Sequence, residues 1–122
     1  MPAGVYDFHV EQGVANKFSI EYRASDGTAK DLTGYSGRGQ VKLKMSDSQP
    51  LAEFEVTITD PLLGKLDVAL PAAALKGHTF KASDYKDKVK GVYDIELYKD
   101  TSDEETIRIL NGNIFISPEV TK

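Results

Sequence analysis

The sequence predicts an all-β fold, an antiparallel β-sandwich of seven to eight strands. Three observations predict it. Apolar residues recur at every second position over most of the chain, the period of a strand with one buried face. Turn-forming pairs such as Asp26-Gly27 and Asn111-Gly112 help to break these runs at intervals of roughly a dozen residues. A single short segment, 71–76, departs from the alternation in favour of helix-compatible residues.

The elements follow in order. In VYDFHVE (5–11), Tyr6, Phe8 and Val10 alternate with Asp7, His9 and Glu11. After Gly13, NKFSIEYR (16–23) sets Phe18, Ile20 and Tyr22 on one face and Lys17, Ser19, Glu21 and Arg23 on the other. Asp26-Gly27 tolerates the positive φ of a tight turn. The next stretch, GYSGRGQVKLKM (34–45), raises a choice between a phosphate-cradling loop and a strand. A phosphate loop needs a helix after its glycines, because helix N-terminal N–H groups hold the anion. Here Gly37, Gly39, Val41, Leu43 and Met45 share one face, with Arg38, Gln40, Lys42 and Lys44 on the other. That is a strand, and glycines at its inward positions mark a bulge, a bend or a close approach of backbone.

LAEFEVTITD (51–60) alternates through Ala52, Phe54, Val56 and Ile58, PLLG (61–64) connects, and KLDVAL (65–70) directs Leu66, Val68 and Leu70 inward. Pro71, three alanines and a stop at Gly77 allow at most a short helical turn near 71–76. KASDYKDKVK (81–90) reads as a loop with Tyr85 packing inward, and GVYDIELYK (91–99) as a strand burying Tyr93, Ile95 and Leu97. DTSDEE (100–105) is a charged hairpin tip, and ETIRIL and NIFIS are two final strands joined at Asn111-Gly112. Antiparallel sheets bury one face and wet the other, as this alternation requires. The architecture is therefore an immunoglobulin-like (Ig-like) or related sandwich, with one domain spanning 1–122.

Composition narrows the function classes. A net charge of −4 disfavours a nucleic-acid binder, whose lysines and arginines gather on one face. The absence of cysteine removes disulfides, thiol catalysis and cysteine-ligated metals. No apolar run approaches the roughly 20 residues of a membrane-spanning helix, and the first residues lack a signal-peptide pattern, so synthesis in the cytoplasm without membrane association is expected. The two histidines, His9 and His78, lie in no catalytic or metal-binding motif and read as surface residues. Asp100, Asp103, Glu104 and Glu105 lack calcium-loop spacing and read as a solvated hairpin end. Catalytic residues, cofactors and metal ligands are therefore expected to be absent. Tyr35, Tyr85 and Tyr98 are the available aromatic platforms for a carbohydrate, each equally placed to be a core or rim tyrosine. Val92 and Tyr98, apolar on the otherwise wet face of their strand, are the candidate contacts for a partner chain.

Four stretches carry a resemblance: YDFHVEQG with KFSIEYR, DGTAKDLTGYSGRGQVKLK, GVYDIEL, and RILNGNIFISPEVTK. In that order and spacing the chain resembles small bacteriophage tail and baseplate structural proteins of the β-sandwich type. The resemblance implies a virion structural protein that assembles with other tail or baseplate proteins, as a fibre adaptor or a homo-oligomer, without catalysis. It implies location in the virion after synthesis in the host cytoplasm. A carbohydrate-binding domain for host-surface recognition is the alternative. Gly39 departs from the pattern, which has a larger apolar residue there; a void, a thinner sandwich or a partner filling the gap would follow.

Overall fold

The structure, a computed structural model, describes residues 4–24, 26–75, 80, 86–99 and 102–119, and only the backbone of 102–105. Gly77, His78, Tyr85 and Asp100, and the side chains of Asp103, Glu104 and Glu105, lie outside the described residues. Among the described residues eight strands form: β1 (Gly4–Val5), β2 (Phe8–Glu11), β3 (Asn16–Glu21), β4 (Ser36–Lys42), β5 (Ala52–Asp60), β6 (Lys65–Leu70), β7 (Val89–Lys99) and β8 (Ser102–Ser117). Their order is β1-β8-β7-β4-β5-β6-β3, with β2 also beside β8. The all-β sandwich expected from the alternation is what the chain adopts.

The two layers share one strand. Ala52 to Phe54 of β5 pair with β4, whereas from Glu55 onward β5 pairs with β6. Strand β5 thus leaves the larger layer and enters the smaller one, and β3 closes the order on β6. On the far side the layers meet through side chains. Phe8 of β2 stacks on Phe18 of β3 with ring centres 4.3 Å apart and also packs against Phe54 and Tyr93. Val41, Leu66, Val68, Leu70, Ile95, Leu97, Ile114 and Ile116 are fully enclosed between the layers. Each such aliphatic side chain contributes about 1.5–3 kcal/mol by leaving water.

The glycines of β4 are explained where β5 turns away. A Cβ on Gly37 would lie 2.1 Å from Val56 Cγ1, and one on Gly39 would lie 2.8 Å from the Asp94 carbonyl oxygen and 3.1 Å from the Phe54 ring. The space a larger residue would take at Gly39 is already filled by this chain's own Phe54 and backbone. Neither a void nor a partner is needed there.

Several sequence expectations are corrected. The expectation of purely antiparallel pairing holds for every pair except the first two strands, which run parallel to β8 at one constant offset: Gly4↔Leu110, Val5↔Asn111, and Phe8↔Ile114 to Glu11↔Ser117. They are one strand interrupted at Tyr6-Asp7. Alternation is identical in parallel and antiparallel edge strands, so the sequence could not distinguish them.

Asn111-Gly112 is not a hairpin either; β8 runs straight through it. The apolar residues change parity, from Ile107 and Ile109 to Ile114 and Ile116, because a register shift against Ile95 and Glu96 inserts an extra residue into β8. Gly112 is instead a close approach: a Cβ there would lie 2.2 Å from the Tyr6 carbonyl oxygen.

Tyr6, expected inward, is 56% exposed, and Leu43 and Met45 are exposed because β4 ends at Lys42. Beyond Lys42 the chain turns back, with the Leu51 N–H donating to the Val41 carbonyl. Segment 71–75 makes a single turn closed by the Ala74 N–H on the Pro71 carbonyl, and PLLG forms a 3-10 turn at Pro61–Leu63 ended by a left-handed Gly64.

Candidate functional site

The outer face of the larger layer gathers the polar chemistry. Strand alternation directs Arg38, Gln40 and Lys42 outward from β4 and Val92, Asp94, Glu96 and Tyr98 outward from β7. Antiparallel register then sets Gln40 beside Asp94 and Arg38 beside Glu96. On the other flank Asp94 faces Asn111, Val92 faces Asn113, and Glu96 faces Arg108. The face is a lattice of cross-strand pairs. Arg38 Nε lies 3.0 Å from Glu96 Oε1, and Arg108 Nε lies 3.7 Å from Asp94 Oδ2.

A concavity of about 320 Å³ opens on this face. Gln40, Lys42, Met45, Val92, Asp94 and Arg108 form its walls, with Asn111 among the lining. Burial, reinforced by the Glu96 carboxylate, holds the Asp94 carboxyl above the usual carboxylate range, while Arg108 pulls it back down. Asn111 Oδ1 is buried without a hydrogen-bond partner among the described residues. An unpaired acceptor of that kind costs about 1–3 kcal/mol. The neighbouring Asp94 carboxylate, by contrast, already faces Arg108.

Val92 and Tyr98 are both half-buried on the outer face of β7, as the sequence indicates, but they do not form one apolar strip. Asp94 and Glu96 stand between them. Val92 belongs to the concavity, while Tyr98 lies under the Arg38 guanidinium, 4.6 Å from its ring centre. Tyr35 is similarly covered by the Lys99 ammonium at 4.7 Å. His9 is exposed, stacks on Phe115 at 5.1 Å, and has Lys88 Nζ 3.5 Å from Nδ1. Sequence reasoning missed Asp94, Arg108 and Asn111. They come together only through strand register, and the inserted residue in β8 decides which of its side chains face outward.

Among the described residues no group of three His, Asp or Glu side chains is placed to hold a metal ion, and no helix is long and apolar enough to cross a membrane. No family model matches the sequence, and no curated protein matches it. Among solved structures, the chain is similar to the NK cell receptor Nkp44, described as a triggering partner in natural cytotoxicity. The two share 11% identity with a TM-score of 0.41, over 98% of this chain and 100% of that one. A likeness this loose says nothing about ligand or partner.

Proposed function

We propose that this domain is a non-catalytic assembly part of a bacteriophage tail or baseplate, which binds neighbouring virion proteins through the outer face of β4, β7 and β8. The observation that carries the binding face is the concavity beside Val92, lined by Asp94 and by Asn111, whose buried Oδ1 lacks a donor among the described residues. A partner backbone N–H or a basic side chain supplies such a donor while apolar atoms cover Val92 and the exposed Met45. The sequence resemblance supplies the virion context. Carbohydrate binding is less well supported: one face each of Tyr35 and Tyr98 is occupied by a cation rather than open to a sugar.

The test is incorporation. Tail particles purified from the phage or prophage that encodes the chain should contain it at a fixed stoichiometry by mass spectrometry. The Val92→Lys variant should fold normally by circular dichroism yet be lost from the particles. A chain absent from washed particles would overturn the reading, and full incorporation of Val92→Lys would move the contact elsewhere.

A further inference from the structure

A second interaction surface lies at the opposite end of the strand order, on β3. This strand terminates the order, and among the described residues nothing pairs with its outer side. The direction of its free groups follows from its neighbours. The Tyr22 N–H donates to the Gly64 carbonyl, which immediately precedes β6. Backbone groups alternate sides along a strand, so Phe18 and Ile20 turn theirs toward β6, and Lys17, Ser19 and Glu21 turn theirs outward. Those three side chains also share the exposed face, while Phe18 and Ile20 lie on the face packed against the core.

The sequence of that edge is a charge palindrome centred on Ser19. Exposed charges on an edge strand ordinarily discourage pairing with another chain. Here one antiparallel register converts them into partners. With a twofold axis at Ser19, Lys17 faces Glu21 of a second copy, Glu21 faces its Lys17, and Phe18 faces its Ile20. Each of the facing pairs Lys17/Glu21, Ser19/Ser19 and Glu21/Lys17 exchanges two backbone hydrogen bonds. A slip of two residues one way sets Lys17 against Ser19, and the other way Ser19 against Glu21, so opposite charges no longer face. A slip of one residue sets inward-turned backbone groups against outward-turned ones.

The charges are already held in place within the chain. Lys17 Nζ lies 3.3 Å from Asp67 Oδ2, and Arg23 lies 2.5 Å from Glu21. Pairing would extend these into one network running from Asp67 through Lys17 to the second copy's Glu21 and Arg23. Ser19, small and exposed at the axis, donates to Asp67 at 2.8 Å.

We infer that β3 is a homodimerisation edge, at which two copies of this chain pair antiparallel about Ser19 to make one continuous sheet. This rests on the assembly reading above but uses a different surface, so the two can fail separately. The test combines light scattering after size exclusion with directed cross-linking. The unmodified chain should move from monomer to dimer as concentration rises, with the midpoint shifting to higher concentration as salt is added. Lys17→Glu alone and Glu21→Lys alone should each weaken dimerisation at least tenfold. An equal mixture of the two should restore it, because each supplies the charges the other lacks. Since the chain has no cysteine, Ser19→Cys should give a single oxidised dimer, absent when Lys17→Glu is added. A monomer at every concentration, or a dimer indifferent to Lys17→Glu, would overturn the inference and leave particle incorporation to be judged by itself.

Discussion

Strands β4 and β8 both break the pattern expected of a strand in a packed sheet, and they do so in opposite ways. In β4 the period of two is intact but the bulk is missing: Gly37 and Gly39 occupy inward positions, and Val56 and Phe54 from β5 fill the space. In β8 the bulk is present but the period slips, because one extra residue shifts the inward set from odd to even numbers. A sheet can thus accommodate a corner by deleting side chains on one strand or by inserting a residue in another. The first leaves the phase of the sequence readable. The second conceals it.

The comparison can be broken most severely in β8. Inserting one alanine between Asn113 and Ile114, away from the register shift, should drive Ile114 and Ile116 outward, with Phe115 losing its outward place. Loss of cooperative unfolding and of the near-ultraviolet dichroism of the packed tyrosines is expected. Retention of the unmodified chain's urea midpoint would mean that β8 absorbs the alanine as a second bulge and that its phase is not fixed by the register shift. Next in size is Gly37→Val, whose added methyls meet Val56; overpacking of this kind costs about 1–3 kcal/mol. Combining it with Val56→Ala should recover part of that loss in urea titrations. Additive losses would show that the glycine is required for some other reason.

The difference between the two strands also explains what could be read in advance. Strands β2 to β7 were legible because their buried residues, from Phe8 and Val10 through Leu66, Val68 and Leu70 to Ile95 and Leu97, follow a period that needs no knowledge of neighbours. Asn111-Gly112 has the chemistry of a hairpin turn, and only the parallel approach of Tyr6 against Gly112 reveals its other use. The candidate site was the least legible part. Val92 and Tyr98 stood out as apolar residues on a wet face, whereas the pairing of Asp94 with Asn111 depends on the phase of β8.

The smallest expected effect lies on β7, which touches both strands. Asp94 sits between Gln40 of β4 and Asn111 of β8, and burial raises its pKa above the ordinary value. The folded chain therefore holds this proton more tightly than the unfolded chain. Asp94 contributes stability below its unfolded pKa and loses that contribution as pH rises through the raised, folded value. Against Asp94→Asn, whose side chain does not titrate, the unmodified chain should lose relative stability as pH increases across that interval. Urea midpoints of both proteins measured through the acid range would show it, and a constant difference would mean that Arg108 compensates fully.

The interrupted strand formed by β1 and β2 has a consequence for the order of events during synthesis. Its partner on β8 is separated from it by nearly the whole chain, with Phe8 matched to Ile114. Neighbouring hairpins such as β5 with β6 can zip as they emerge, since their contacts are local. Phe8 and Val10 of β2 must instead wait for Ile114 and Ile116 of β8. Until residues 114–117 are free the nascent chain carries this aromatic segment without its strand partner, and pairing β2 with β8 is a long-range closure.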